Sequence, residues 1–456
     1  MLRCGEEEAV RKGQRSRWTA RVLWLIAMLA VAVTAGLPAG AWAASGKVTI
    51  VHYGYYWHGE AWRSFVDWAA KEFEKIHPNI DIQLVVAGGP GQGAYDQKFL
   101  SMLAGGSPPD ILEMNANQAQ SFVDENVFLD LRPLMDKEKE ISWDLFSPIT
   151  VRMVTWTDGR VWGVPMDAYP LFVAFNQSLF EAAGLQTPVD LGPQGWTWDA
   201  MLTAARRLTV DANGDGVTDR YGLDGRLWAW WGAAVHQAGG DLYDRPVNPT
   251  RATYSRPEVI RGLKFVQDLY WKYKVAVPVT AGTSSTHTIW LGNVGISTVE
   301  GPGLISQPFM RDVKFAWDIG PQPRGPVRGG CRFTVDALEI FSGTRHPSEA
   351  WEWVKFLSTN KAVVRRFVAD TARLTAFQPI QNEYSKLVPH APRHAAYMVY
   401  ELANPDSGPA YLIPAAREVN AITGPLIQEI LDGKRDPSVV VVEIDEKLNR
   451  LLAGGK

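Results

Sequence analysis

Residues 48–86 read VTIVHYGYYWHGEAWRSFVDWAAKEFEKIHPNIDIQLVV, and the change of period along them decides the fold class. Val48 to Tyr53 alternates and is rich in β-formers. From Trp62 the apolar residues Trp62, Phe65, Val66, Ala69, Phe73 and Ile76 recur at helical spacing. Ile80, Ile82, Leu84 and Val86 return to period two and end in the turn-rich Gly88-Gly89-Pro90-Gly91. A second helix carrying Phe99, Leu100 and Leu103 stops at Gly105-Gly106, and a short strand follows Pro108-Pro109-Asp110. Strand, helix, strand, helix, strand is the α/β pattern of a mostly parallel sheet. Such sheets bind ligands beyond the carboxyl ends of their strands, which fall here near Tyr55, Ala87 and Glu113.

Downstream, residues 158–176 read DGRVWGVPMDAYPLFVAFN, a turn and an extended segment broken by Pro165 and Pro170, then a new strand. Proline restrains itself and the residue before it, which suits a hinge between lobes. Helices are expected at Ser178–Ala183, ended by Gly184, and after the Thr197 cap. Strands are expected at Gly295–Gly301, Lys314–Gly320 and Asp336–Phe341, and a helix at Pro347–Leu357. The last hundred residues read as mainly helical, with breaks at Pro379, Pro389, Pro405 and Pro414.

Upstream, Arg11, Lys12, Arg15, Arg17 and Arg21 precede an apolar run from Val22 to about Val33, then Gly36, Pro38 and Ala41-Trp42-Ala43. This is the form of a secretory signal peptide spanning 1–43, cleaved after Ala43. The run is short of the roughly 20 apolar residues of a membrane span. Glu6, Glu7 and Glu8 are out of place in such a segment and point to a start downstream of Met1. The whole chain carries a formal charge of −3, and about −6 without the first 43 residues. An exported, mildly acidic protein of this kind is excluded from nucleic-acid binding by its electrostatics. Of the two cysteines only Cys331 lies beyond Ala43, so no internal disulfide is expected there, and no cysteine follows the cleavage site to carry a lipid anchor. The expected product is soluble and periplasmic or otherwise extracytoplasmic.

Asp211-Ala-Asn213-Gly-Asp215-Gly216-Val217-Thr-Asp219 places oxygen donors at positions one, three, five, seven (the Val217 backbone) and nine around a glycine at six. That is calcium-loop spacing, although position twelve is Gly222 where such loops carry Glu. The other reading is a surface loop closed by its own Asx turns. Either way a metal here would be structural, and no other cofactor is required. Sixteen of the 19 Trp lie beyond residue 43. Trp62 and Trp353 fall on apolar helical faces and read as core. Trp228, Trp230 and Trp231 adjoin glycines in a stretch without clear period and read as ligand-facing, because sugar rings stack on aromatic faces while their hydroxyls need planar polar partners.

Evidence for catalysis is absent. Glu113, Asp167 and Glu300 lie near strand ends as a glycosidase acid/base pair would, but no spacing selects two of them. No G-x-S-x-G elbow, H-E-x-x-H or phosphate loop occurs, so the chain reads as a binder and not an enzyme.

FVDWAAKEFEKIHPNIDIQLV, SPPDILEMN, DGRVWGVPMDAYPLFVAFNQSLFEAAGL, GWTWDAMLTAARRLT, DANGDGVTDRYGL, VGISTVEGPG and HPSEAWEWVKFLSTNKA, in this order, resemble the bacterial extracellular solute-binding proteins of family one, which include maltose-type and other oligosaccharide binders. The resemblance implies a two-lobed α/β periplasmic-binding-protein fold (type II-like) with a ligand cleft between lobes joined by hinge crossings. The crossings would fall near Asp167–Leu171, Ser297–Gly301 and Ser342–Arg345. One lobe would then comprise 47–168 with 301–343, the other 171–297 with 345–456. It also implies a monomeric sugar-binding subunit that delivers its ligand to ABC-transporter permeases in the membrane. The implied ligand contacts are Tyr55, Trp57, Glu60, Asn115, Gln118, Asp167, Tyr169, Trp228, Trp230, Trp231 and Glu300, with Arg332 and Arg373 approaching the cleft. Where an aromatic often follows the Gly-Pro of the motif ending at Gly303, this chain has Gly303 itself. Another solute, a polyamine or a glycerol phosphate ester, is the competing ligand class; several convergent cations would mark a phosphate, and several carboxylates a polyamine.

Overall fold

The computed structural model describes residues 47–54, 59–86, 92–123, 125–278, 288–413 and 415–454. The expected signal segment, Tyr55 and Trp57 lie outside the described residues. The opening stretch folds as its periods require. It forms β1 (Val48–Gly54), α1 (Gly59–Ile76), β2 (Ile80–Val86), α2 (Gln92–Ala104) and β3 (Ile111–Asn115). Both β2 and β3 pair in parallel with β1. Trp62, Phe65, Val66, Ala69 and Phe73 make the buried face of α1, while Ile76, in its last turn, stays exposed. Gly54 ends β1 because a Cβ there would come within 2.3 Å of the Trp62 ring.

Eight further strands complete two sheets: β4 (Val164–Tyr169), β5 (Phe172–Asn176), β6 (Tyr221–Leu223), β7 (Val294–Glu300), β8 (Trp317–Gly320), β9 (Arg332–Ile340), β10 (Leu374–Thr375) and β11 (Gly408–Pro409). The first sheet runs β10-β4-β9-β3-β1-β2, with β11 beside β9; the second runs β6-β7-β5-β8. Only β1, β2 and β3 form the expected parallel run. β9 enters between β3 and β4 antiparallel to both, so the sheet is mixed. The molecule is thus an α/β protein of two lobes, one on each sheet.

Pro170-Leu171 carries the chain from β4 to β5 and so from the first sheet to the second. The return is not at Ser297–Gly301. β5 takes an antiparallel partner on each edge, β7 and β8, so the strands from β5 as far as Gly320 belong to the second sheet, while the turn between β7 and β8 reaches across to Ala372 (Gly303 N–H to Ala372 O, 2.9 Å). The chain re-enters the first sheet only at Arg332. Nor does it leave at Ser342–Arg345, since the helix Pro347–Thr359 packs on β1, β4 and β9. Contact with the second sheet resumes at His394, whose N–H donates to Asp318 of β8 (3.1 Å), and continues in the helix Ala396–Ala403, which packs against β5.

The returning segment, residues 321–331, is pinned by the last turn of that helix and the loop after it. Gln322 N–H donates to the Glu401 carboxylate (2.8 Å). Gly329 N–H and Arg324 donate to Asp406 (2.8 Å each). Burial pushes the Glu401 carboxyl up to about 7. Cys331, fully buried at the end of this segment, has its thiol pushed above the usual range by the same desolvation. Among the described residues no helix is long and apolar enough to cross a membrane.

Candidate functional site

A cavity of about 570 Å³ takes its walls from both sheets. Asn115 at the end of β3, Tyr169 at the end of β4, and Thr334 and Asp336 on β9 come from the first. Glu300, which ends β7, and Arg226, in the turn after β6, come from the second. Arg373 and the Gly301–Gln307 turn close it between them.

Each wall carries one guanidinium held by two carboxylates. On the first, Arg373 Nη1 donates to Asp167 (2.7 Å) and to Asp336 (3.1 Å). Asp336 also accepts from Asn115 Nδ2 (2.8 Å), and Thr334 donates to Asn115 Oδ1 (2.9 Å). On the second, Arg226 Nε and Nη2 grip both oxygens of Asp224 (3.1 and 2.9 Å). Its Nη2 also donates to Ser297 Oγ (3.1 Å) and to Glu300. Burial works against both cations, but the adjoining carboxylates outweigh it and hold both above the usual guanidinium value. Desolvation raises the Glu300 carboxyl despite Arg226 beside it. Asp224 is fixed by backbone, its own N–H donating to Ile296 O (2.9 Å), so Arg226 stands on a framed carboxylate.

Gly303 adopts φ +90°, the left-handed region that favours glycine, and a Cβ there would lie 3.5 Å from Arg373 Cγ and 3.6 Å from the Tyr169 hydroxyl. The space where the resemblance leads one to look for a stacking ring thus borders Tyr169 and Arg373. The Arg373 guanidinium itself lies 5.5 Å from the Tyr169 ring centroid, a cation–π contact.

The family model of the bacterial extracellular solute-binding proteins matches residues 59–364. The chain belongs to that family. A Brucella abortus (strain 2308) relative whose name states binding and no ligand is 22% identical over 465 residues, covering 96% of this chain and 98% of its own. The maltotriose-binding protein of Pyrococcus abyssi (strain GE5 / Orsay) is 24% identical over 241 residues, 49% of this chain and 48% of its own. An ABC substrate-binding protein of Listeria monocytogenes, solved in complex with cycloalternan, superposes with a TM-score of 0.75 at 19% identity, over 89% of this chain and 99% of that one.

In this solute-binding protein the expected contacts separate into three groups. Asn115, Tyr169, Glu300 and Arg373 line the cavity, and Asp167 stands directly behind Arg373. Glu60 is exposed in the first turn of α1, next to the lining residue Ala61. The rest lie elsewhere. Gln118 is buried and donates to Asp96 (2.8 Å). Arg332 stacks 4.1 Å over the Tyr411 ring and donates to Pro409 O (2.8 Å), outside the lining. Trp228, Trp230 and Trp231 sit on a regular helix, Leu227–Gln237, not on an irregular loop. Helical geometry therefore sends them different ways. Trp230 is fully buried, donates to Gln322 Oε1 (3.0 Å) and meets Trp198 and Phe265 edge-on, so it is core. Trp231 is half-buried against that core. Trp228, two residues beyond Arg226, is exposed. Glu113 is fully buried beside His52 (3.7 Å), far from the role of an acid/base partner to Glu300.

Arg226, Asp224, Thr334 and Asp336 were missed. Asp336 had a signal: a carboxylate inside the apolar strand RFTVDALEI must be paired if buried. Arg226 had none, since a D-x-R turn is indistinguishable from any surface turn.

The loop 211–219 does not gather its carboxylates. Asp211 accepts from Gly214 N–H (2.7 Å) and Gly216 N–H (2.8 Å), Asp215 from Val217 N–H (2.7 Å), Asn213 from Asp215 N–H (2.9 Å), and Asp219 from Ala212 N–H (2.7 Å). The Asn213 and Asp215 bonds, each to the N–H two residues on, are Asx turns, and the Asp211 and Asp219 bonds tie the loop across itself. Among the described residues no three His, Cys, Asp or Glu side chains converge as metal ligands.

Proposed function

We propose that this solute-binding protein captures a carbohydrate, a mono- or oligosaccharide, outside the cytoplasm and delivers it as a monomer to the membrane permease subunits of an ABC importer. The observation that carries the reading is the double origin of the cavity wall. A solute lodged there touches Asp336 and Arg373 on one lobe and Glu300 and Arg226 on the other. It therefore binds the closed arrangement more tightly than an open one and shifts the population toward it. Planar polar groups beside Tyr169, with Trp228 exposed near Arg226, are the surfaces that sugar hydroxyls and sugar C–H faces use. The maltotriose and cycloalternan named for the relatives support the same class.

One observation favours a second reading, a polyamine. Asp167, Asp224, Glu300 and Asp336 outnumber the two guanidiniums they surround. A thermal-shift panel of saccharides, polyols, amino acids, polyamines and phosphate esters separates the two, because a ligand raises apparent stability by mass action. The expected result is a rise with at least one saccharide, recovered intact, accompanied by compaction in small-angle scattering. A rise confined to polyamines or phosphate esters overturns the proposal.

A further inference from the structure

We propose that the cavity sorts saccharides by charge, accepting neutral ones and rejecting those that carry a carboxylate or a phosphate. This rests on the reading of the cavity as a saccharide site and adds to it which saccharides enter. The charged side chains among the described lining residues are Arg226, Glu300, Asp336 and Arg373. Guanidiniums ordinarily make a site attractive to anions, through paired N–H donors. Here each guanidinium is already matched by two carboxylates. Arg226 is engaged by Asp224 and Glu300, and Arg373 by Asp167 and Asp336. All four carboxylates are buried, with side-chain exposures of 2–6%, so water does little to screen them.

Among the described residues, an anion approaching either guanidinium meets one positive charge and two negative ones held at hydrogen-bond distance from it. Attraction is cancelled at the first carboxylate, and the second leaves a net repulsion. The arrangement repeats on both walls, so turning the ligand over gives no escape. A neutral hydroxyl has no such difficulty: it donates to a carboxylate oxygen or accepts from a guanidinium N–H at little electrostatic cost. Specificity then comes from an interaction arranged against the wrong ligand as much as from contacts to the right one.

The test is titration calorimetry with matched pairs: glucose and glucuronate, galactose and galacturonate, maltotriose and its C6-oxidised uronate, with glucose 6-phosphate as a phosphate probe. For any pair whose neutral member binds, the anionic member is expected to bind about a hundredfold more weakly, as like-charge juxtaposition implies. Asp224→Asn and Asp336→Asn, each removing one negative charge, are expected to raise the anion-to-neutral affinity ratio about tenfold, whatever happens to the absolute affinities. Equal or tighter binding of an anionic member by the wild type overturns the proposal, as does a ratio unmoved in both variants. The wild-type ratio decides alone if a variant fails to fold. Absence of binding by every saccharide, alongside a response to a polyamine or an amino acid, overturns the carbohydrate reading and this inference with it.

Discussion

The two walls of the cavity use the same device in different settings. The Arg373 side chain is 10% exposed and bridges β4 to β9 through Asp167 and Asp336, so its charge cluster is part of the first lobe's interior. The Arg226 side chain is 30% exposed and sits on a turn, tied by Asp224 to the end of β6 and by Glu300 to the end of β7. One cluster is a floor held by the fold; the other is a rim held by a turn. On the proposed closure, the floor is expected to keep its geometry in either state, whereas the rim supplies contacts that the ligand completes.

That contrast is open to direct attack. Arg373→Ala removes the guanidinium held between two interior carboxylates, leaving Asp336 with Asn115 and Asp167 with the Asp336 N–H, and is expected to cost about 3–5 kcal/mol of folding stability, the range for breaking a buried ion pair, measured by urea denaturation. Arg226→Ala leaves Asp224 with its backbone bonds and Glu300 with Ser297. Its expected cost is about 1–3 kcal/mol. Equal losses in the two variants would erase the distinction between floor and rim.

The pinned return segment gives a pH-dependent effect. The Glu401 carboxyl, pushed from 4.5 to about 7 by burial, holds its proton more tightly folded than unfolded. Its contribution is therefore complete below about 4.5 and is lost as pH rises toward 7. Glu401→Gln should flatten that portion of the stability–pH curve relative to the parent chain, and identical curves would show that Glu401 does not titrate there. Smallest in stability is Trp228→Ala, expected to stay within about 0.5 kcal/mol because the side chain is exposed. Saccharide affinity should nonetheless fall about tenfold if the indole covers the rim; no change in affinity would confine the rim to Arg226 and Glu300.

Periodicity made the first lobe legible. Residues 48–115 fold as their alternations demand, and the Thr197 side chain caps its helix by accepting from Ala200 N–H (3.2 Å). The lobe crossings were less legible. A strand such as Trp317–Gly320 reads the same whichever sheet it joins, and only its pairing with the edge of β5 not taken by β7 determined its place. The tryptophans illustrate the same limit. Trp228 and Trp230 are two residues apart, yet helix geometry puts one in solvent and the other in the core. Four lining or supporting residues, Asn115, Tyr169, Glu300 and Arg373, together with Asp167, were found because family-like motifs mark strand ends and crossings. Gln118, Arg332 and Trp230 were drawn in by the same reasoning, since motif proximity says nothing of where a side chain turns.

By itself, then, the sequence determined the element order of the first lobe, the α/β class and the family, because hydrophobic period and motif order are local properties that survive without a fold. The tertiary structure alone decided which charges meet. Asp167 and Arg373 are 206 residues apart and Arg226 and Glu300 are 74 apart. Pairing over such distances depends on how two sheets are brought together, and no local pattern of residues encodes it.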